Sequence, residues 1–204
     1  MLQARVNLMT ADPLRLGDAV KFIETEVRPL VESQHGSLGM ALYANPELGV
    51  ALLESFWRSR AALVQSGEMI AAARREAVRR ARGTVAVERY RVPVFERAAP
   101  LSAGTALRLT RIDIEPPRTE DVVASYGDAA VPRLAETEGF CDALLLADRD
   151  SGHLISETLW RNTQARAGSL SAAAAVFADL VESTGCAIRA EEEYGLVFSS
   201  VRKP

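Results

Sequence analysis

Two Trp-Arg pairs are the residues of this chain whose types and spacing could do chemistry: Trp57-Arg58 and Trp160-Arg161. A tryptophan can hold a flat substrate against its rigid aromatic face. An arginine can stabilise the anionic oxygen of a phenolate or enolate, the form in which such a compound reacts with O₂. Asn7 could polarise the same oxygen. We therefore predict Arg58, Arg161 and Asn7 as catalytic residues, and Trp57 and Trp160 as substrate-binding residues.

A serine stands nine residues after each tryptophan, at Ser66 and Ser169, and we add both to the predicted substrate-binding residues. Neither serine has a repeated histidine and acid with which to form a catalytic triad. A structural explanation is open for every one of these positions. A tryptophan can fill a core, an arginine can be a surface charge, and a serine can allow close helix packing.

The Trp-Arg pairs belong to an internal repeat. With a constant shift of 103 residues, the segment from residue 29 aligns without a gap with the segment from residue 132, with eight identities over positions 29–60. A period near 100 residues is longer than the roughly 20–50 residues of a solenoid unit and matches one small domain. We predict two similar domains, 1–96 and 106–204, joined by a linker over 97–105 that contains Pro100 and Gly104.

Each repeat has the pattern of strand, helix, strand, strand, helix, strand. Strands are predicted over 5–9, 37–44, 49–57 and 84–95, and over 107–114, 140–147, 153–160 and 187–199. Helices are predicted over 16–30, 59–82, 119–134 and 162–183, with Gly83 ending the second of them. Such a unit is a ferredoxin-like sheet with both helices on one face, and its strands carry apolar residues on both faces. The predicted fold class is therefore α+β, with two ferredoxin-like βαββαβ repeats forming an intramolecular dimeric-type α+β barrel.

Composition restricts the partners. The 204 residues are 48% hydrophobic and 25% charged with a net charge of −3, which gives no basic footprint for nucleic acid or an anionic membrane. No apolar run reaches the roughly 18–20 residues of a membrane span, and the N-terminus lacks a secretory pattern. We expect a cytoplasmic protein that binds a small hydrophobic molecule, as a monomer with an internal pseudo-dimer or as a homodimer. No phosphate loop or zinc motif occurs, so no cofactor and no metal are expected.

The strand end Glu54-Ser-Phe-Trp57, followed at once by a helix, and its counterpart Glu157-Thr-Leu-Trp160 resemble the antibiotic biosynthesis monooxygenase domain of the dimeric α+β barrel superfamily. The glycines that precede and follow the second strand, Gly36 and Gly49, fit the same pattern. The resemblance covers nearly the whole chain, once per repeat. It implies a cavity between sheet and helices with Trp57 and Trp160 in its wall. The family includes cofactor-free oxygenases of phenolic polycyclic compounds and haem-degrading enzymes.

The chain departs from the family at several polar positions. Where members have a helix histidine, a strand asparagine and a helix tyrosine, this chain has Ser66 and Ser169, Leu53 and Ser156, and Leu63 and Arg166. The histidines, His35 and His153, do not align with an axial haem ligand. We predict a cofactor-independent monooxygenase-like protein acting on a small hydrophobic or aromatic compound. The alternatives are a non-catalytic ligand-binding or structural barrel that has lost the catalytic groups, or a protein with one active half; the cavity in each half separates them.

Overall fold

The computed structural model describes residues 1–202. The first repeat consists of β1 (Gln3–Thr10), α1 (Leu16–Phe22), α2 (Arg28–Glu32), β2 (Ser37–Asn45), β3 (Val50–Trp57), α3 (Arg60–Met69), α4 (Ala71–Ala81) and β4 (Thr84–Arg97). The second consists of β5 (Ala106–Asp113), α5 (Thr119–Ser125), α6 (Val131–Ala135), β6 (Phe140–Asp148), β7 (His153–Trp160), α7 (Thr163–Gly168), α8 (Leu170–Thr184) and β8 (Ala187–Ser199). Among the helices of these residues, none is both long enough and apolar enough to cross a membrane.

Hydrogen bonds join the strands in the closed order β1-β3-β2-β8-β5-β7-β6-β4, which confirms the predicted α+β barrel fold class. In each repeat the third strand lies antiparallel between the first and second strands. The registers are equivalent as well: Arg5 lies opposite Ser55 in the first repeat, and Arg108 lies opposite Thr158 in the second. The same side chains therefore share a sheet face in both repeats.

The chain divides into two compact units. Unit 1 contains Met1–Tyr90 and the C-terminal segment that starts at Leu196, and unit 2 contains Arg91–Gly195. The division falls inside β4 and β8 because these strands, of 14 and 13 residues, are longer than their eight- or nine-residue neighbours. The domain bounds predicted from the repeat, 1–96 and 106–204, stay a prediction.

Each unit has its own apolar core. In unit 1 the core includes Val27 and Val31 from the first helical region, Met40 from β2, and Trp57 and Leu63 around the start of α3. The core of unit 2 includes the equivalent positions Ala130, Leu134, Ala143 and Trp160, whereas Arg166 replaces Leu63. Both cores contain side chains from helices and strands, so the helices cover one face of the sheet in each unit, as the predicted split βαβ pattern requires.

A proline interrupts the first helical region of each repeat. Pro29 and Pro132 have no N–H to donate to the carbonyl four residues earlier, and their rings crowd that carbonyl. A wider π-helical turn precedes each proline, over Ile23–Val27 before Pro29 and over Tyr126–Ala130 before Pro132. The helices predicted over 16–30 and 119–134 are therefore present, each with a π-helical turn inside it.

The second helical regions are also divided, at Ile70 in unit 1 and at Ser169 in unit 2. The end of α4 differs from the prediction too. Arg82, and not Gly83, adopts the left-handed conformation that ends the helix, with φ of 48°. Gly83 is needed for another reason, because a Cβ there would lie 1.7 Å from the carbonyl oxygen of Thr10. In unit 2 the equivalent of Arg82 is Gly185, with φ of 72°.

Candidate functional site

A fully buried arginine occupies the first strand of each repeat, Arg5 on β1 and Arg108 on β5. The Arg5 Nη1 donates to the Ser66 hydroxyl at 3.1 Å, and its Nη2 donates to the carbonyl oxygen of Leu63. Its guanidinium carbon lies 5.7 Å from the centre of the Trp57 ring, within cation–π range. Sequence reasoning missed both arginines, although the shift of 103 residues aligns them as an identical cation in mid-strand.

The second arginine has the same anchor. The Arg108 Nη1 donates to the Ser169 hydroxyl at 3.0 Å, and its Nη2 donates to the carbonyl oxygen of Arg166 at 2.8 Å. Burial, together with the charges of Arg74 and Arg89, lowers the pKa of Arg5 to about 10. The Arg5 guanidinium remains charged at neutral pH, because this pKa is still well above 7.

Ser66 and Ser169 thus serve as acceptors for the buried arginines. Each serine hydroxyl also donates to a carbonyl oxygen three residues earlier, Ser66 to Leu63 at 2.8 Å and Ser169 to Arg166 at 2.7 Å. Ser66 is 2% exposed and Ser169 is 0% exposed. The geometry explains why a serine stands at both positions, and the predicted substrate-binding role of these serines stays a prediction.

Both tryptophans are fully buried. The indole N–H of Trp57 donates to the Ser55 hydroxyl at 3.0 Å, and that of Trp160 donates to the Thr158 hydroxyl at 3.2 Å. Phe140 meets the Trp160 ring edge to face, with centres 5.7 Å apart. Each indole therefore has its polar and apolar contacts within its own unit. The substrate-contact role of Trp57 and Trp160 stays a prediction.

The structure places Arg58 and Arg161 on the surface. Arg161 forms an exposed ion pair with Glu138 at 3.3 Å, and such a pair contributes little to stability. Neither arginine borders the cavity described next. The catalytic role of Arg58 and Arg161 stays a prediction, and their position on the surface does not support it.

Unit 1 contains a cavity of about 40 Å³ between its sheet and its helices. Its wall is apolar apart from Asn7, Ser55 and Arg74. The complete lining consists of Asn7, Met9, Ile23, Val27, Val31, Met40, Ala51, Leu53, Ser55, Ile70, Arg74, Ala77, Val78 and Val85. The cavity lies between sheet and helices, as the resemblance implies, but Trp57 is not among its lining residues.

Asn7 is the predicted site residue that the structure places in this cavity wall. The side chain is 6% exposed, and its Nδ2 donates to the carbonyl oxygen of Leu53 at 3.2 Å. Within residues 1–202 its buried Oδ1 accepts no hydrogen bond. A buried acceptor without a donor costs about 1–3 kcal/mol. The cavity therefore offers one unsatisfied acceptor to a ligand that carries an O–H or N–H group.

Larger side chains occupy the equivalent region of unit 2. Tyr126 replaces Ile23 and is fully buried, and its hydroxyl accepts a hydrogen bond from Ser156 at 2.8 Å. Phe177 replaces Arg74 and belongs to the core of unit 2. Thr110 replaces Asn7. Burial raises the pKa of Tyr126 strongly, so its hydroxyl stays neutral. The two repeats therefore differ where unit 1 has its cavity.

The volume limits what the closed cavity can hold. About 40 Å³ is close to the roughly 30 Å³ that one water molecule occupies in the liquid, whereas pockets for drug-sized ligands measure roughly 300–1,000 Å³. An aromatic ring can enter only if the cavity widens. Four lining residues are half-buried: Leu53 on β3, Arg74 and Val78 on α4, and Val85 on β4.

The residues that line the cavity of unit 1 do not suit haem, which one branch of the family that this chain resembles uses. Neither His35 nor His153 lines the cavity of unit 1, and both are exposed. His153 instead meets the Asp113 carboxylate at 2.7 Å on the surface. The proposed site therefore does not include haem.

No family model matches this chain. It is 22% identical over 204 residues to the uncharacterised protein Rv2557 of Mycobacterium tuberculosis, which covers all of this chain and 91% of the relative. It is 23% identical over 205 residues to the uncharacterised protein Rv2558 of the same organism, across all of this chain and 87% of that relative.

Solved structures agree with the fold. An anthrone oxidase-like protein superposes with a TM-score of 0.71 at 16% identity, over 97% of this chain and 92% of that one. A Listeria monocytogenes ferredoxin-fold protein related to antibiotic biosynthesis monooxygenases gives a TM-score of 0.52 at 12% identity, over 95% of both chains. A heme-degrading enzyme of Listeria monocytogenes gives 0.53 at 12% identity, over 94% of this chain and 98% of that one. The chain therefore shares the α+β barrel fold of these proteins.

Proposed function

We propose that unit 1 binds a small hydrophobic or aromatic compound with a hydroxyl group and acts on it as a cofactor-independent monooxygenase. The observation that carries the proposal is the apolar cavity of unit 1 with the unsatisfied Oδ1 of Asn7 in its wall. A substrate O–H donated to this oxygen would satisfy it, and the apolar wall would contact the ring.

The chemistry follows from the groups in the wall. The lining contains no Asp, Glu, His or Lys, so the substrate must lose its proton to water rather than to a side chain. The positive charge of Arg74 favours the resulting phenolate or enolate. The electron-rich anion then supplies the electrons to O₂. For a substrate with an activated CH₂ group the balance is R₂CH₂ + O₂ → R₂C=O + H₂O, with one oxygen atom in the product and one in water.

Unit 2 has a structural role in this proposal. Tyr126 and Phe177 occupy the region equivalent to the cavity of unit 1, which supports the alternative that one half alone is active. A specific comparison follows, because Asn7 and Thr110 are equivalent positions in the two units. Substitution of Asn7 should alter ligand binding, and substitution of Thr110 should not.

The first test is calorimetric titration with p-cresol and with 4-methylanisole, the methyl ether that lacks the O–H donor. The native protein should bind p-cresol more tightly. Asn7→Leu should remove that preference and weaken p-cresol binding by about two- to tenfold, the range of a neutral hydrogen bond. Thr110→Val is the matched control and should bind both compounds as the native protein does.

The second test is oxygen uptake with anthrone, followed by the appearance of anthraquinone. Uptake should equal anthraquinone formation, fall in Asn7→Leu, and persist in Thr110→Val. Binding without oxygen uptake would leave unit 1 as a binding module and refute the oxygenase proposal. The absence of p-cresol binding, or equal loss in both variants, would refute the assignment of the cavity itself.

A further inference from the structure

Arg74 is a charged residue without an acidic partner in an apolar wall. Its side chain lines the cavity of unit 1 and is half-buried. Across residues 1–202 it makes no salt bridge and no side-chain hydrogen bond. Two other arginines of α4, Arg79 and Arg80, both bind Glu76, at 2.7 Å. Arg74 therefore faces the cavity with its charge uncompensated.

Two further cations stand close to Arg74. Arg89 lies on the same face of β4 as the lining residue Val85, four positions along the strand. Arg5 lies on the same face of β1 as Asn7, two positions away. The Thr10 and Thr84 hydroxyls, 2.8 Å apart, hold the start of β4 beside the end of β1.

The lowered pKa values of Arg5 and Arg74 agree with this proximity of cations. Burial lowers the pKa of Arg74, and the charge of Arg89 lowers it further. Burial also lowers the pKa of Arg5, with additional lowering from Arg74 and then Arg89. Arg5 and Arg74 therefore both experience positive potential from neighbouring arginines. Uncompensated cations beside a low-dielectric cavity are costly, and an anion placed among them would remove that cost.

Unit 2 lacks this arrangement although it retains the buried arginine. Arg74 is replaced by Phe177 and Arg89 by Glu192. Burial lowers the pKa of Arg108, while Glu191 and Glu193 act in the opposite direction. The cationic cluster is thus specific to the unit that has the cavity, and the buried arginine common to both units is not sufficient for it.

We infer that the cavity of unit 1 takes a small aromatic carboxylate that also carries a hydroxyl group. Its carboxylate binds Arg74, within the field of Arg5 and Arg89, and its hydroxyl donates to Asn7. A guanidinium suits a carboxylate because its N–H groups form two parallel hydrogen bonds to the two oxygens. This inference rests on the proposed function, since it assumes that the cavity binds a small molecule.

The experiment compares two probes of equal size, 4-hydroxybenzoate and 4-hydroxybenzyl alcohol, by calorimetric titration. The native protein should bind the carboxylate at least about tenfold more tightly, as expected for hydrogen bonds to a charged group. Arg74→Gln should abolish this preference, so that the two probes bind with similar affinity. Arg75→Gln is the matched control, because the neighbouring Arg75 is exposed and does not line the cavity.

The outcomes separate this inference from the proposed function. Binding of the alcohol with no preference for the carboxylate overturns the inference and leaves the cavity assignment standing. A preference that survives in Arg74→Gln, or that is lost equally in Arg75→Gln, also overturns it. No binding of either probe overturns both. Near-ultraviolet circular dichroism of each variant establishes that it is folded, and Arg74→Lys, which keeps the charge, should retain part of the preference.

Discussion

Ser66→Ala tests whether the buried arginine is held as the structure shows. The Ser66 hydroxyl accepts a hydrogen bond from Arg5 and donates one to the carbonyl oxygen of Leu63. Arg5 is 0% exposed, and its Nε has no hydrogen-bond partner among the described residues. Removal of the hydroxyl would leave Nη1 without the acceptor seen here, with no solvent access to replace it.

The expected loss follows from these contacts. A hydrogen bond to a charged group contributes about 1.5–3 kcal/mol. Ser66 lies inside α3, where alanine is a better helix former than serine by about 0.5 kcal/mol. The net decrease in the free energy of unfolding of unit 1 should therefore be about 1–2.5 kcal/mol. Ser169→Ala should destabilise unit 2 by a similar amount, because Arg108 makes the equivalent hydrogen bond at 3.0 Å.

Urea unfolding followed by tryptophan fluorescence measures this loss. In a Trp160→Phe background the remaining indole, Trp57, reports on unit 1 and lies within 5.7 Å of the Arg5 guanidinium. Gln65→Ala is the matched control, since Gln65 is exposed on α3 in the same unit and makes no side-chain hydrogen bond within the described chain. That control should show only the small gain in helix propensity.

Two results would contradict the reasoning. A Ser66→Ala protein as stable as the Gln65→Ala control would show that Arg5 does not depend on the Ser66 hydroxyl. A Ser66→Thr protein as unstable as Ser66→Ala would show that the side-chain shape matters and the hydroxyl does not. Threonine keeps the hydroxyl and should recover most of the loss.

Two further predictions concern stability. Arg82→Gly should raise the free energy of unfolding by about 0.5–1 kcal/mol, because glycine adopts the left-handed conformation without Cβ strain. Urea unfolding measures this change. Arg75→Gly, inside the same helix, is the control and should lower the free energy of unfolding. Burial raises the pKa of Asp142 to about 6 despite Arg97, 2.7 Å away. The folded state then binds more protons than the unfolded state between about pH 4 and pH 6. Stability relative to Asp142→Asn should fall by up to about 3 kcal/mol from pH 4 to pH 7; a pH-independent difference would refute this.

The fold could be predicted because the same sequence pattern occurs twice in the chain. Strand alternation and the position of the glycines occur twice at the same shift, and the element order follows from them. The π-helical turn inside the first helix of each repeat was harder to predict from the sequence. Pro29 marks the place, but a proline is compatible with a kink, a new helix start or a π-helical turn, and tertiary packing decides among them.

The candidate site was predicted only in part, for a physical reason. Arg5 and Asn7 alternate with apolar residues along β1, a pattern typical of a strand with one solvated face. In the structure that face is covered by helices, so both polar side chains are buried. Arg74 lies in an arginine-rich helix whose other arginines are exposed. Its position in the cavity wall depends on the rotation of α4, which helix periodicity alone does not establish.

The comparison between repeats separates two kinds of polar position. The buried arginine and its serine acceptor occur in both units with the same hydrogen bonds, and a duplicated contact of this kind is explained by the packing common to both. Asn7, Arg74 and Arg89 occur in unit 1 alone, and unit 2 replaces them with Thr110, Phe177 and Glu192. A packing requirement common to both repeats cannot explain these three residues. Asn7 and Arg74 line the cavity that distinguishes unit 1, so the proposed ligand binding would account for two polar groups that the packing common to both repeats does not need.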